Sequence, residues 1–192
     1  MNSWIIAESR ALTQSEMENN VAILWNFFGS KGWTANAVSA LAANMEAEST
    51  INPGRWEGDI VGRLDYGFGL VQWTPATKFR NWVNSYYGNS DYTNGEYQME
   101  RLLWEMDKGE QYYPTSAYPE TFKEWSVSTK APGYLAEAFL VNYERPSDQS
   151  QAVKNYRAKL ANKWYQVITG LPAPSYFNLP IWLLFKFKKG VI

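Results

Sequence analysis

The chain changes character within one ten-residue stretch, NMEAESTINP at positions 44–53. Before it, apolar residues recur at the i, i+3, i+4, i+7 spacing of one helical face: Val38, Leu41, Ala42 and Met45. After it, residues 52–72 carry one proline and five glycines and keep no helical period. Because glycine and proline favour turns, this stretch marks the junction between a helix and an irregular segment. We expect short strands and turns in that segment.

Helical patterns lie on both sides of the irregular segment. Residues 13–16 (TQSE) predict a capping box for the first helix, and Thr34 predicts the N-cap of the second. Thr74 and Pro75 predict an N-cap followed by proline at the first position of the third helix. Further helix starts are predicted at residues 93–96 (TNGE), Glu120, Pro132 and Gln151. The fold class is therefore mainly α, formally α+β, with a small Gly-rich β-hairpin or loop insertion between the second and third helices.

The C-terminal part of the chain suggests a domain boundary. The last helix is predicted over residues 151–167, with Val153, Tyr156, Leu160 and Trp164 facing inward. Residues 171–174 (LPAP) have the composition of a linker. The organisation predicted is a domain at 1–169 and, at 170–192, a Pro-rich linker with an apolar and basic tail. The apolar part of the tail is too short for a membrane span, so we expect a linker or docking strand.

Composition excludes several classes of function. The chain of 192 residues has no His and no Cys, so no Ser-His-Asp triad, thiolate nucleophile or conventional zinc site can form. We expect no metal and no cofactor, and chemistry that rests on carboxylates, as in glycosidases. A net charge of −1 argues against a nucleic-acid partner. The N-terminus lacks a basic region and an apolar stretch, so no signal peptide is predicted.

Two glutamates at the helix end are candidates for a general acid. At about 100° per residue, Glu48 falls roughly 70° from the centre of the apolar stripe and Glu46 roughly 90° away on the other flank. A carboxyl against apolar surface should have a raised pKa, which a general acid near neutral pH requires. Both could equally be solvated glutamates near a helix end. Periodicity does not choose between Glu46 and Glu48.

A second candidate cluster is DYGFGLVQW at residues 65–73. Two glycines that flank an aromatic residue permit a tight turn and a close approach of the backbone to a ligand. The spacing lacks the Gly-x-Gly-x-x-Gly pattern and the preceding strand of a nucleotide site, which we therefore reject.

Together these segments resemble a known family. Glu48-Ser49 and residues 67–72 (GFGLVQ) resemble the Glu-Ser and Gly-Leu-Met-Gln motifs of lytic transglycosylases and goose-type lysozymes. The wider pattern is more similar to the phage tail lysozyme family. The motifs that carry this resemblance are Gly32-Trp33-Thr34, NMEAES at 44–49, INPGRW at 51–56, GFGLVQWTPA at 67–76 and YERP at 143–146. They occur in the expected order over about residues 14–168.

The resemblance implies a lysozyme-like fold and a peptidoglycan glycosidase. It assigns the catalytic acid to Glu48, because Glu46 falls on a variable position. It places Gln72, Trp73, Tyr143 and Gly69 along the saccharide cleft and Trp56 at its rim. Asp65, just before the Gly-Phe-Gly turn, is the first candidate for positioning water. The alternatives to Asp65 are Asp59 and Glu57.

The same resemblance implies partners and a location. The expected partner is bacterial peptidoglycan, with other phage tail proteins as further partners and no role for a membrane. The expected location is the virion tail tip, or the cell wall for a secreted protein. Lytic transglycosylase chemistry on the same bond is one alternative, although Tyr143 is followed here by Glu144-Arg145-Pro146 rather than Asn-x-Gly. A non-catalytic saccharide-binding module of the tail is the other.

Overall fold

The structure is a computed structural model that describes residues 3–88 and 91–174. Within these residues the chain is mainly helical. The α-helices are α1 (Gln14–Ser30), α2 (Ala35–Ser49), α3 (Thr77–Tyr87), α4 (Gly95–Lys108), α5 (Phe122–Ser126), α6 (Pro132–Phe139) and α7 (Gln151–Thr169). A short 3₁₀ turn covers Glu57–Asp59, and a π-helical turn, Leu140–Glu144, extends α6. None of the helices in the described residues has the length and apolar character needed to cross a membrane.

The helix starts follow from capping chemistry, with two corrections. The capping box of Thr13 and Glu16 and the N-cap at Thr34 are confirmed. The predicted start of α3 at Thr74–Pro75 is wrong, since that peptide bond is cis and the helix begins at Thr77. The N-cap of α4 is Asn94, whose side chain accepts a hydrogen bond from the backbone N–H of Glu96. The predicted capping box at residues 93–96 is therefore displaced by one residue.

Helix α2 forms the centre of the fold. Residues 37–45 are all buried, because α1, α5, α6 and α7 contact this helix from several sides. The predicted stripe of Val38, Leu41, Ala42 and Met45 is thus only part of the buried surface. A helix that is apolar on every face belongs in a core, and the many alanines of α2 let its neighbours approach closely. The end of α2 is accordingly held in a fixed place relative to the other helices.

The predicted β-hairpin between α2 and α3 does not form in the described residues. Only isolated bridges occur, from Trp56 to Phe68 and from Phe68 to Trp73. Left-handed backbone at Thr50, Asp59 and Gln72 turns the chain repeatedly, so two extended strands cannot run side by side. Aromatic packing orders the segment instead: the ring of Trp56 lies 4.6 Å from that of Phe68.

The N-terminal segment is bound to the turn that follows α2. The Asn52 side chain accepts hydrogen bonds from the backbone N–H of Ala7 and Gly54, at 3.1 and 3.0 Å. Its amide donates to the carbonyl oxygens of Ala7 and Arg10, at 2.6 and 3.2 Å. Trp4 packs on Gly95, where a Cβ would meet its ring. Residues 4–10 thereby connect α2 to α4 across the irregular segment.

The predicted boundary at residue 170 remains a prediction, although α7 ends at Thr169. The described part of the linker packs back on α1, where the indole N–H of Trp25 donates to the carbonyl of Pro172 at 3.1 Å. Pro174 lies against Gly29. The apolar and basic tail predicted beyond Pro174 lies outside the described residues.

Removing the Asn52 side chain should destabilise the protein. Asn52→Ala leaves the polar backbone groups of Ala7, Arg10 and Gly54 without their partners, so the free energy of unfolding should fall by about 2–3 kcal/mol. Chemical denaturation followed by tryptophan fluorescence measures the loss. The matched control is Asn155→Ala on the exposed face of α7, which should change the free energy of unfolding by less than about 0.5 kcal/mol. Equal losses in the two variants would contradict this prediction.

Candidate functional site

Two adjoining cavities lie where the end of α2 meets the irregular segment and the π-helical turn. The larger has a volume of about 460 Å³ and the smaller about 270 Å³. Gln72, Thr74 and Glu144 line both, so we treat them as one groove. The remaining lining residues of the larger cavity are Glu48, Arg55, Trp56, Glu57, Gly58, Pro146 and Ser147. Those of the smaller are Val71, Trp73, Lys78, Gln111, Tyr143 and Arg145.

The structure distinguishes Glu46 from Glu48, which helical periodicity alone left as equal candidates for the general acid. Glu48 borders the larger cavity, and its Oε1 accepts a hydrogen bond from Nη2 of Arg157 at 2.6 Å. Its side chain is 22% exposed. Glu46 points to the other flank, where it binds Nζ of Lys163 and the indole N–H of Trp164, each at 2.6 Å. Glu46 is thus part of a structural ion pair, and Glu48 is the carboxyl that faces the groove.

The residue after Glu48 connects α2 to the groove wall. The Ser49 hydroxyl donates to the carbonyl of Leu70 at 2.9 Å and accepts from the backbone N–H of Asn52 at 3.3 Å. Thr50 and Ile51 then adopt left-handed backbone, which turns the chain sharply at the end of α2. A serine at this position therefore fixes the distance between the Glu48 backbone and the segment that contains Gln72.

Gln72 lies where the sequence places it, on the groove. Its backbone is left-handed, with φ at 50°, and its amide donates to the carbonyls of Gly69 and Arg55, at 2.9 and 3.2 Å. Gly69 itself is positioned for a structural reason. A Cβ there would lie 2.6 Å from Oε1 of Gln98, which also accepts the backbone N–H of Leu70 at 2.7 Å. Because residue 69 is a glycine, the Gln98 side chain can approach its backbone and stabilise the turn at residues 69–70.

The candidates for a second carboxylate occupy different places. Asp65 is 72% exposed, lies 3.5 Å from Arg63, and is absent from the lining of the groove. Asp59 pairs with Arg55 at 2.7 Å and is likewise outside the lining. Glu57 does line the larger cavity, but its Oε2 accepts the backbone N–H of Gly67 at 2.7 Å. Of these three, the structure brings only Glu57 beside Glu48.

Three aromatic residues predicted for the cleft lie in its wall with their rings buried. Trp56 is 1% exposed. The indole N–H of Trp73 and the hydroxyl of Tyr143 both donate to the carboxyl of Glu105, at 3.0 and 2.6 Å. Nε of Arg101 binds the same carboxyl at 2.9 Å. Glu105 thus connects α4 to both walls of the smaller cavity and holds these rings in place.

Several polar atoms at the groove are buried without a partner among the described residues. They are Nη1 of Arg55, Nε1 of Trp56, Oε1 of Glu144 and Nε of Arg157. Leaving such atoms unpaired costs about 1–3 kcal/mol each. Bound water or a polar ligand with both donors and acceptors would satisfy them. Among the described residues, no group of three or more acidic side chains is placed to hold a metal ion.

Two carboxyls at the groove, the buried Glu105 and the half-buried Glu144, have raised pKa values. Burial raises the pKa of Glu105, against the opposing effects of Arg101, Tyr143 and Trp73. Burial also raises the pKa of Glu144 well above its usual value, and the negative charge of Glu48 raises it further. Arg157 and Arg145 act in the opposite direction on the pKa of Glu144. Glu144 therefore gives up its proton at a higher pH than an ordinary glutamate does, and it lines the same cavity as Glu48.

Sequence reasoning missed Glu105, Glu144 and Arg157. The inward position predicted for Tyr156 is wrong, since its side chain is 53% exposed. The buried face of α7 instead consists of Arg157, Leu160, Ala161, Trp164 and Ile168. These residues follow the helical i, i+3, i+4, i+7, i+11 spacing. The same periodicity therefore predicts the buried face of α7 if an arginine is accepted as one of its residues. No local pattern marks Glu105, whose partners lie 32 and 38 residues away.

The fold and the groove together define a class of protein. It is mainly helical, and it has carboxyls at the end of a buried helix, beside a groove. The phage tail lysozyme family matches residues 19–168. Morphogenesis protein 1 of Bacillus phage B103 is 40% identical over 159 residues, which are 83% of this chain and 42% of that protein. The chain thus spans less than half the length of that relative. It belongs to the phage tail lysozyme family, which confirms the resemblance seen in the motifs.

The raised pKa of Glu144 predicts how stability depends on pH. Because the folded state binds its proton more tightly, this carboxyl favours folding fully below the usual glutamate range and less as pH rises above it. Glu105 acts in the same direction. The free energy of unfolding should therefore fall as pH rises above the usual glutamate range, and Glu144→Gln should make the fall smaller. Urea denaturation at a series of pH values tests this, and identical slopes in both proteins would contradict it.

Proposed function

We propose that this protein is a glycosidase that cleaves peptidoglycan. The bond is the β-1,4 linkage between N-acetylmuramic acid and N-acetylglucosamine. One observation carries the proposal: Glu48, at the end of a packed helix, borders a groove that also contains buried hydrogen-bonding atoms with no partner in the part of the chain that the structure describes. Sugars offer many hydroxyl and acetamido groups that pair with such atoms. The family to which the chain belongs supports the same reading.

Glu48 is the proton donor in the proposed reaction. It protonates the glycosidic oxygen, and the oxocarbenium-like state is captured by water, by an enzyme carboxylate or by the acetamido group of the substrate. The helix end and the Ser49 hydrogen bonds hold the Glu48 backbone, while Arg157 orients its carboxylate. Positioning of this kind lowers the activation barrier of the reaction, because the reacting groups are already held in the orientation that the reaction requires.

The groove provides surfaces suited to a glycan strand. Its larger part, at about 460 Å³, lies in the size range of small-ligand sites. Gln72 offers an amide for acetamido groups, and Trp56, Trp73 and Tyr143 provide apolar wall beneath it. We propose bacterial peptidoglycan as the partner and the phage virion, at its tail tip, as the location. Contact with other tail proteins belongs to the same proposal.

Two other functions use the same groove. A lytic transglycosylase would cleave the same bond and leave 1,6-anhydro ends. A non-catalytic module of the tail would bind saccharide without cleavage, and the name of the relative, morphogenesis protein 1, indicates a role in morphogenesis for that protein. Mass spectrometry of products from purified sacculi separates all three. Reducing muramic acid ends indicate a lysozyme, anhydro ends a transglycosylase, and no products a binding module.

Glu48→Gln should abolish wall cleavage and preserve the fold. The amide oxygen can still accept the hydrogen bond of Arg157, but the side chain cannot deliver a proton. The rate of reducing-end release from sacculi should fall at least about 100-fold, the usual contribution of general acid catalysis. The same amide substitution at Glu46 is the control. It weakens the pair with Lys163 and costs stability, yet the rate should stay within about twofold because Glu46 lies off the groove. The reverse outcome would show that the acid is Glu46.

Saccharide binding should be detectable at Gln72. Chitooligosaccharides added to labelled Glu48→Gln protein should shift the backbone amide signals of Gln72, Trp73 and Tyr143. Gln72→Ala should weaken binding about tenfold, because one good hydrogen bond is worth about 1.4 kcal/mol. Tyr156, exposed on the outer part of α7, provides the reference signal that should not move. Shifts confined to a surface away from the groove would refute the placement of the substrate.

A further inference from the structure

Glu144 occupies an unusual position at the groove. It ends the π-helical turn, a rare conformation that is frequent at functional sites. The following residue, Arg145, is left-handed, with φ at 49°. Its Nη1 donates to the carbonyls of Gln111 and Asn142, and its guanidinium lies 4.9 Å from the ring of Tyr113. The neighbouring cation is thereby engaged elsewhere, and the Glu144 carboxyl enters both cavities with a buried, unpaired Oε1.

Glu144 and Glu48 line the same cavity, and the cation bound to Glu48 is Arg157 of α7. Arg157 directs Nη2 to Glu48 and Nη1 to the carbonyl of Asn44, at 2.6 and 3.1 Å. Both terminal nitrogens are therefore used by acceptors on α2. Two neighbouring carboxyls that share a low-dielectric cavity do not both ionise, and their protons titrate as a pair.

The charged and titratable groups around Glu144 come from several elements. They are Glu48 of α2, Arg157 of α7, Glu105 and Arg101 of α4, Lys78 of α3, Arg55 and Glu57 of the irregular segment, and Tyr143 and Arg145 beside it in the chain. Arg101 is bound to Glu105, and Arg55 to Asp59. The arginine nearest in chain order, Arg145, is held by backbone carbonyls.

We propose that Glu144 is the second carboxyl of the reaction, holding at rest the proton that Glu48 delivers to the glycosidic oxygen. This inference rests on the proposed glycosidase function and adds to it the identity of the second carboxyl. The sequence alone offers Asp65, Asp59 and Glu57 as candidates for that role. Nη2 of Arg157 lies 2.6 Å from Oε1 of Glu48, whereas Oε1 of Glu144 is buried and has no partner among the described residues. In this proposal the two carboxyls share one proton before substrate arrives, and Glu144 holds it.

Glu144 and Glu48 together account for every proton that moves in the reaction. No hydrogen bond joins the two carboxyls directly among the described residues, so the proton passes from Glu144 to Glu48 through a water molecule in the groove. Glu48 then gives a proton to the glycosidic oxygen as the C1–O bond breaks. Water then forms a new bond to C1, and its proton goes to the Glu144 carboxylate. The sum is one water added across the glycosidic bond, and the pair again holds one proton on Glu144.

The test compares Glu144→Gln with a matched control, Glu137→Gln. Glu137 is a half-buried glutamate of α6 that accepts a hydrogen bond from Tyr118 at 2.8 Å, which a glutamine also accepts. Reducing-end release from sacculi is measured from acid to alkaline pH, with melting curves to verify folding. Glu144→Gln should lose at least about 100-fold in rate near neutral pH, and its remaining activity should move to lower pH. Glu137→Gln should keep the rate and the pH profile of the unchanged protein.

A second measurement does not depend on turnover. In protein labelled with ¹³C at glutamate carboxyls, one carboxyl should stay protonated at neutral pH, and its signal should be missing in Glu144→Gln. Glu48→Gln should lower the titration midpoint of this carboxyl, because the neighbouring negative charge is gone. The same ¹³C result from a protein that cleaves no sacculi would support the carboxyl pair and overturn the glycosidase reaction. A well-folded Glu144→Gln protein with the rate and pH profile of the unchanged protein would overturn the inference alone.

Discussion

The contact between α7 and the end of α2 holds the fold and the groove together. Arg157 binds both the carboxylate of Glu48 and the carbonyl of Asn44, and it is itself buried. About two turns further along α7, Lys163 and Trp164 bind Glu46. A buried charge is costly unless it is paired, so these contacts specify how α7 must lie on α2. Without them, two acidic side chains on opposite flanks of one helix end would each lose the cation that binds them.

On the opposite wall of the groove, another buried carboxylate is stabilised by partners from distant parts of the chain. Glu105 receives hydrogen bonds from an indole, a phenol and a guanidinium that come from three different parts of the chain. A fully satisfied polar network in a low-dielectric interior is rigid, because any displaced member leaves an unpaired group behind. The rings of Trp73 and Tyr143 are consequently wall elements whose orientation depends on α4. Residues predicted from motifs to contact sugar thus owe their positions to a glutamate outside those motifs.

Local sequence patterns predicted the helices well, because capping and helical periods act over a few residues. They failed at the irregular segment, where glycines and aromatics suit strands as well as turns, and only the repeated left-handed positions decide against a hairpin. Periodicity could not separate Glu46 from Glu48, since both flank the same stripe. The difference lies in Lys163 and Arg157, which are more than 100 residues away in the chain. Contacts at that separation leave no local trace, and this is equally why Glu105 was missed. Glu144 lies within the YERP motif at 143–146, but the motif alone does not show that its carboxyl lines the cavity of Glu48.

The long separation between Glu48 and its cation also has a consequence during synthesis. Arg157 follows Glu48 by 109 residues, so the ribosome adds it on the order of ten seconds later. Until then α2 emerges with its acidic end uncompensated and with the α7 side of its apolar surface uncovered. A nascent chain therefore has no assembled groove until α7 has left the exit tunnel. A chain that terminates before residue 157 lacks the cation that binds Glu48, so the order of translation delays the assembly of the groove until α7 is made.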